Sequence, residues 1–192
     1  LKKGHIMTRV IPLLIILFIS CSPLKRYSLK SDKWEEDIKV LESLDRQETC
    51  GNDCILFLGS SSIRLWNEIK SDMSPFNVVA RGYGGAHFYD IIHYTKRLVK
   101  NHNPKAIVVF VANDINGGNN NSWYGDLRPK EVLKLFKFFT RQVYTTHGDI
   151  PIFVIETTPT ISRWKVWDKI STANDLIKNY TMKEDNLSYI TT

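Results

Sequence analysis

The chain has 192 residues, of which 43% are hydrophobic, and its formal net charge at pH 7 is +6. This length fits one ordinary domain, and the apolar content is sufficient for a packed core. The basic residues are scattered among acidic ones and form no block of like charge, which argues against a nucleic-acid partner. We therefore expect one globular fold with no nucleic acid among its ligands.

The first 21 residues have the features of an export signal. Met7 is followed closely by VIPLLIILFIS, an apolar run shorter than the roughly 20 residues that span a bilayer. The run ends in FISC, which resembles the lipobox of bacterial lipoproteins, although Phe18 stands where these proteins usually have leucine. The resemblance implies that Cys21 is a lipid anchor at the periplasmic face of the membrane, in the cell envelope. Plain secretion and an uncleaved membrane anchor are the alternatives.

Export to an oxidising compartment affects the interpretation of the other two cysteines. Cys50 and Cys54 enclose the tripeptide GND, a spacing that can close a small disulfide loop. Alternatively, Cys54 is a small buried apolar residue and Cys50 a free thiol. Two cysteines without matching histidines do not indicate a zinc site, and we expect no metal or other cofactor.

The first predicted element of the domain is an amphipathic helix in SDKWEEDIKVLESLDRQ, capped by Ser31 or Asp32. Its apolar residues recur at helical spacing: Trp34, Ile38, Leu41 and Leu44. The charged residues between them are interpreted as a solvated face.

Short apolar runs then alternate with helical patterns. The runs have the length of strands buried on both faces: CILFL at 54–58, NVVA at 77–80, AIVVFVA at 106–112, IPIFVIE at 150–156, and LSYIT from Leu187. The helical patterns cover about 62–70, 88–100, 129–146 and 167–180. This alternation predicts a three-layer α/β/α sandwich with a mainly parallel sheet. We divide the chain into a signal (1–21), a tether with the N-terminal helix (22–50) and the α/β domain (51–192).

Polar or glycine-rich segments follow the first three predicted strands: Gly59-Ser60-Ser61-Ser62, Arg81-Gly82-Tyr83-Gly84-Gly85 and Asn113-Asp114. The carboxyl ends of parallel strands meet at one edge of the sheet, so we expect these segments to lie together. A serine at a strand-to-helix turn can act as a nucleophile. A glycine N–H and an asparagine amide next to it can hold an oxyanion.

Three sequence blocks resemble those of the SGNH, or GDSL-type, hydrolases: FLGSSSIRLW, ARGYGGAHFYDIIHY and VANDI. The stretch ETTPTISRWKVWDKISTAND is also similar to the segment after the fourth strand in bacterial members, so the resemblance runs from about Cys54 to the end of the chain. It implies a flavodoxin-like fold and hydrolysis of carboxylic esters, such as an acetylated carbohydrate or a short acyl ester. Ser61 would be the nucleophile, and Ser61, Gly85 and Asn113 would form the oxyanion hole.

The sequence departs from the family pattern in its catalytic acid and base. Family members carry an Asp-x-x-His motif after the fifth strand, and no such motif follows the fifth predicted strand of this sequence. We expect a C-terminally incomplete fold, either as a fragment of an esterase or as an inactive relative. The alternative function is a non-catalytic envelope module that binds a glycan or an anionic ligand. We interpret His87 as a residue at a helix end and not as a substitute for the missing base. Trp123 and Tyr124 have two interpretations, stacking on a sugar ring or packing within the protein.

Overall fold

Five apolar runs form a single parallel sheet, as the sequence predicts. A computed structural model describes Tyr27, residues 31–118 and residues 125–192. The strand order is β2-β1-β3-β4-β5, and every neighbouring pair is parallel. The strands are β1 (Cys54–Gly59), β2 (Asn77–Gly82), β3 (Ala106–Phe110), β4 (Ile152–Ile155) and β5 (Leu187–Ile190). The predicted α/β class is therefore confirmed.

Two strands are shorter than their apolar runs. β3 ends at Phe110, although Val111 and Ala112 are also buried. β4 begins at Ile152 because Pro151 has no N–H to give to a ladder, while its carbonyl still accepts the N–H of Ile107 at 2.9 Å. Burial therefore extends beyond the hydrogen-bonded strand at the end of β3, whereas Pro151 before β4 is exposed.

The helices cover both faces of the sheet. They are α1 (Glu35–Leu44), α2 (Ser61–Arg64), α3 (Ile69–Asp72), α4 (Phe88–Val99), α5 (Pro129–His147) and α6 (Trp167–Thr181), with 3₁₀ segments at Asp32–Trp34 and Ile161–Val166. The larger core lies on the face covered by α1, α4, α5 and α6. On the other face, Ile63 of α2 and Ile69 of α3 pack against Phe57, Val78 and Val108.

The single helix predicted at 62–70 is wrong, because α2 and α3 are separate short helices. The turn between them brings Trp66 edge-on to Phe57 of β1, with 5.9 Å between the ring centroids. Packing of this indole on the sheet accompanies the break in the helix.

The N-terminal helix packs on the α/β domain through charges that the sequence analysis assigned to a solvated face. Arg97 of α4 donates to Glu35 at 2.7 Å and to both carboxylate oxygens of Glu42 at 2.7–2.8 Å. The predicted cap is also wrong, because neither Ser31 nor Asp32 makes a capping hydrogen bond. The Ser31 hydroxyl instead donates to Asp90 at 2.9 Å. These contacts join residues more than 50 positions apart, which local periodicity does not reveal.

Cys50 and Cys54 form a disulfide, the first of the two alternatives for this pair, with their Cα atoms 5.3 Å apart. Cys21 lies outside the described residues. Among the helices that the structure describes, none is both long and apolar enough to cross a bilayer.

Candidate active site

The segments that follow β1, β2 and β3 lie at one edge of the sheet, as predicted. Gly59 is paired with Gly82 on one side and with Phe110 on the other. Beyond the last paired residues, the N–H of Ser60 donates to the carbonyl of Phe110 at 3.1 Å, and the N–H of Tyr83 donates to the carbonyl of Gly59 at 3.2 Å. These hydrogen bonds join the carboxyl ends of β1, β2 and β3 next to the candidate residues.

Ser61 is the first residue of α2, and its position depends on two glycines. A Cβ added to Gly59 would lie 2.3 Å from the Phe110 carbonyl oxygen, and one added to Gly82 would lie 2.6 Å from the backbone nitrogen of Arg64. Only glycine therefore allows α2 to rest directly on the ends of β1 and β2. Ser61 is half-buried at this edge, whereas the neighbouring Ser62 is exposed.

Asn113, which follows β3, is hydrogen bonded to the glycine-rich segment that follows β2. Its Nδ2 donates to the carbonyl of Ala86 at 3.0 Å, and its Oδ1 accepts a hydrogen bond from Nη2 of Arg163 at 3.1 Å. An amide nitrogen carries two hydrogens, so one N–H of Asn113 is left for a ligand. Asn113 is therefore held in one orientation beside the Gly85 loop.

Two backbone N–H groups of the same region are also available. Gly85 is exposed and has a φ of +72°, a conformation that favours glycine. Within the described part of the chain, the N–H groups of Ser61 and Gly85 donate to no other protein group. Together with the amide of Asn113, they are three donors at one edge of the sheet, of the kind that can stabilise a negatively charged oxygen.

No protein-family model and no curated protein matches the sequence. Solved structures do match its fold. A Streptococcus pneumoniae protein assigned as a platelet activating factor has a TM-score of 0.66 at 16% identity, covering 88% of this chain and 78% of that one. A GDSL-like lipase from Bacteroides thetaiotaomicron has a TM-score of 0.58 at 14% identity, covering 85% and 78%. The chain has the SGNH/GDSL-type hydrolase fold.

A third solved structure with this fold is named for the reaction of its protein. It is a catalytic mutant of Axe2, an acetylxylan esterase from Geobacillus stearothermophilus, in which a histidine is replaced by alanine. Its TM-score is 0.53 at 11% identity, with 74% of this chain and 77% of that one covered. At such identities the likeness shows the SGNH/GDSL fold alone.

The described histidines of this SGNH/GDSL-fold chain lie close to polar groups other than Ser61. Each described histidine has a polar group close by: Asp90 at 3.2 Å for His87, Asp32 at 3.9 Å for His93, Asp45 at 3.1 Å for His102 and the Val99 carbonyl at 3.0 Å for His147. In the described residues, none of these histidines is hydrogen bonded to Ser61. The described histidines therefore provide no general base in contact with Ser61. No cluster of three or more potential metal ligands occurs in the described residues either.

Asp114 is a buried residue of this edge to which the sequence analysis gave no role. Its carboxylate accepts the N–H of Phe88, the first residue of α4, with N–O distances of 3.1 and 3.4 Å. Burial raises its pKa to about 7, against the lowering effect of His87 and of the hydrogen bond from Phe88. The only feature of the sequence that pointed to Asp114 was its position next to Asn113. That position does not show whether the carboxylate is buried or exposed.

A second missed residue, Asp126, binds the backbone that follows β3. Its carboxylate accepts the N–H groups of Asn116 at 2.9 Å, Gly117 at 2.9 Å and Gly118 at 3.4 Å. Trp123 and Tyr124, the predicted sugar-stacking or packing residues, lie outside the described residues. Asp126 thus holds the backbone at 116–118, a few residues after Asn113.

We expect Asp114→Asn to remove a pH dependence of stability. Because the folded-state pKa is raised from 3.8 to about 7, the folded protein binds more protons than the unfolded one across this window. The free energy of unfolding contributed by Asp114 therefore falls as the pH rises from 4 to 7, by on the order of 3–4 kcal/mol. Asparagine keeps an acceptor for the N–H of Phe88 without the charge.

The measurement is urea unfolding of both proteins between pH 5 and 8. The variant should gain stability relative to the wild type as the pH rises. A difference in unfolding free energy that stays constant with pH would show that Asp114 does not titrate in this range.

Proposed function

We propose that the protein is a carboxylic ester hydrolase that works through an acyl-Ser61 intermediate. The observation that carries this proposal is the orientation of Asn113, whose amide nitrogen is directed to Ala86 beside Gly85 while its oxygen is held by Arg163. This leaves an N–H at the same sheet edge as Ser61. The GDSL-like lipase and acetylxylan esterase that share the fold support the same reaction class.

In the proposed mechanism, Ser61 Oγ attacks the carbonyl carbon of the ester and loses its proton to a base. The carbonyl oxygen becomes an oxyanion, which the N–H groups of Ser61, Gly85 and Asn113 stabilise. Collapse of this intermediate expels the alkoxide, which takes a proton and leaves as the alcohol. Water then attacks the acyl-Ser61 ester with base assistance, and the carboxylic acid is released.

The proposed substrate is an acetylated carbohydrate or another short acyl ester. Gly85 is exposed and Ser61 is half-buried, so the reacting centre is accessible from the surface. The acetylxylan esterase activity named for the Geobacillus protein supports an acetyl group, and predicted export would bring the protein to envelope or extracellular polysaccharides.

The test has to supply the base that the described residues lack. A serine without a histidine partner is a poor nucleophile, and donors alone leave only about 10³- to 10⁴-fold acceleration over water. We therefore propose to follow hydrolysis of an aryl acetate by the full chain with imidazole in solution. The expected result is a saturable rate above the sum of the imidazole-only and protein-only rates.

Two outcomes would contradict the esterase proposal. The first is a rate equal to that sum at every substrate concentration. The second is saturable binding of an acetylated glycan whose acetyl groups are never released even with imidazole present, which would favour the non-catalytic binding module. A binding module has no need of a base, and no described histidine is hydrogen bonded to Ser61.

We also propose that Cys21 carries a lipid anchor and places the protein at the periplasmic face of the membrane. The support is the FISC sequence after an apolar run of signal-peptide length. Labelling with radioactive palmitate in the source cells should mark the wild type and not Cys21→Ser. Equal labelling of the two proteins would contradict the anchor.

A further inference from the structure

We propose that Arg163 is a positioning residue that fixes the amide of Asn113 for oxyanion binding, an inference that rests on the proposed esterase function. Arg163 lies 50 positions after Asn113, in the 3₁₀ segment Ile161–Val166 that follows β4. Its Nη2 donates to Asn113 Oδ1 at 3.1 Å. The side chain is half-buried, so solvent screens its charge less than at a free surface.

The two hydrogen bonds of Asn113 exclude the flipped amide. Rotation by 180° about χ2 would place Oδ1 against the carbonyl oxygen of Ala86 and Nδ2 against the guanidinium. Both contacts would then join like partners, two acceptors in one case and two donors in the other. Arg163 and Ala86 together therefore select the orientation in which the remaining Nδ2–H is available to a substrate.

The charge of Arg163 also strengthens this donor. A guanidinium stays protonated at neutral pH and polarises the amide that it binds, which makes the N–H on the far side a better hydrogen-bond donor. The positive charge lies one amide group away from the proposed oxyanion. Its attraction increases as negative charge develops, so the effect is larger in the transition state than in the bound ester.

The same 3₁₀ segment also lies against the backbone after β3, through Lys165 and Gly117. A Cβ added to Gly117 would lie 2.3 Å from Cε of Lys165, so the lysine stem rests directly on this glycine. The segment is fixed to the core by Val166, which is buried, and its backbone is closed by the N–H of Arg163 donating to Thr160 at 3.0 Å. These contacts hold the backbone of Arg163 in place, so its side chain reaches Asn113 from a defined position.

The test is a double-mutant cycle with Arg163→Met and Asn113→Ala, assayed on the full chain with an aryl acetate and imidazole. We expect Arg163→Met to lower kcat by about 10- to 100-fold, with KM changed by less than about 3-fold. In the Asn113→Ala background the same change should cost less than about 3-fold, because Arg163 acts through Asn113. Arg163→Lys keeps a charge without the planar fork and should fall in between. Arg141→Met, which removes an exposed arginine of α5, is the matched control.

A measurement independent of activity separates this inference from the proposed function. The side-chain amide of Asn113 can be assigned in ¹H–¹⁵N spectra as the signal missing from Asn113→Ala. Arg163→Met should shift this signal and Arg141→Met should not. An unshifted amide, or an equal loss of kcat in both backgrounds, would overturn the positioning role. A shifted amide in a protein that hydrolyses no ester would leave the contact in place and refute the esterase.

Discussion

Replacing Ser61 with alanine should lower imidazole-supported ester hydrolysis by at least about 100-fold. The loss should depend on added imidazole, because the nucleophile and its base act as a unit. Where the base is missing, removing the serine as well costs little, and only the oxyanion donors remain effective. The measurement is the rate of aryl acetate hydrolysis as a function of imidazole concentration for both proteins.

Ser62→Ala is the matched control for this prediction. Ser62 carries the same hydroxyl one position further along α2, but it is exposed and Ser61 is half-buried. Its rate should stay within about 2-fold of the wild type, the range expected for an exposed residue outside the site. Equal losses in Ser61→Ala and Ser62→Ala would mean that the substitutions disturb α2 and that neither serine is the nucleophile.

Arg81→Met should lower the free energy of unfolding by about 3–5 kcal/mol. Arg81 is 1% exposed, and its guanidinium donates to Asp45 at 2.7 Å and to the carbonyls of Glu48 and Ala80 at 2.7 and 2.9 Å. Methionine fills similar space without any donor. Its introduction leaves the buried carboxylate of Asp45 without its cation, which is the costly way to break a buried pair.

Urea unfolding followed by circular dichroism measures this loss, with two comparisons. Arg46→Met removes an exposed arginine from the same region and should change the unfolding free energy by less than about 0.5 kcal/mol. Adding Asp45→Asn to Arg81→Met should recover part of the loss, because the unpaired charge is then gone. If Arg81→Met is no more destabilising than Arg46→Met, the buried pair does not stabilise the fold.

The strands of this protein could be predicted from sequence because burial on both faces leaves continuous apolar runs, such as CILFL in β1. The placement of Ser61, Gly85 and Asn113 at one edge follows from the same reasoning, since parallel strands align their carboxyl ends. The roles of these three residues remain predictions until the variants are measured.

The charged contacts could not be predicted in the same way. Arg81 appears in the sequence as a polar residue after an apolar run, and Asp45 appears as part of a solvated helix face, yet the two form a buried pair 36 positions apart. The contact between Arg163 and Asn113 spans 50 positions. Such pairs depend on tertiary packing, which hydrophobic periodicity does not describe.

Acetylation of Ser61 during turnover is the most direct test of the proposed mechanism. An aryl acetate has a good leaving group, so acylation of Ser61 should be faster than the attack of water on the acyl-Ser61 ester, and the acyl-enzyme should accumulate during imidazole-supported turnover. After an acid quench during turnover, peptide mass spectrometry should find one acetyl group on Ser61 and none at this position in Ser61→Ala. An acetyl group on Ser62 or on lysine amines alone, or an unmodified protein during measurable turnover, would contradict Ser61 as the nucleophile.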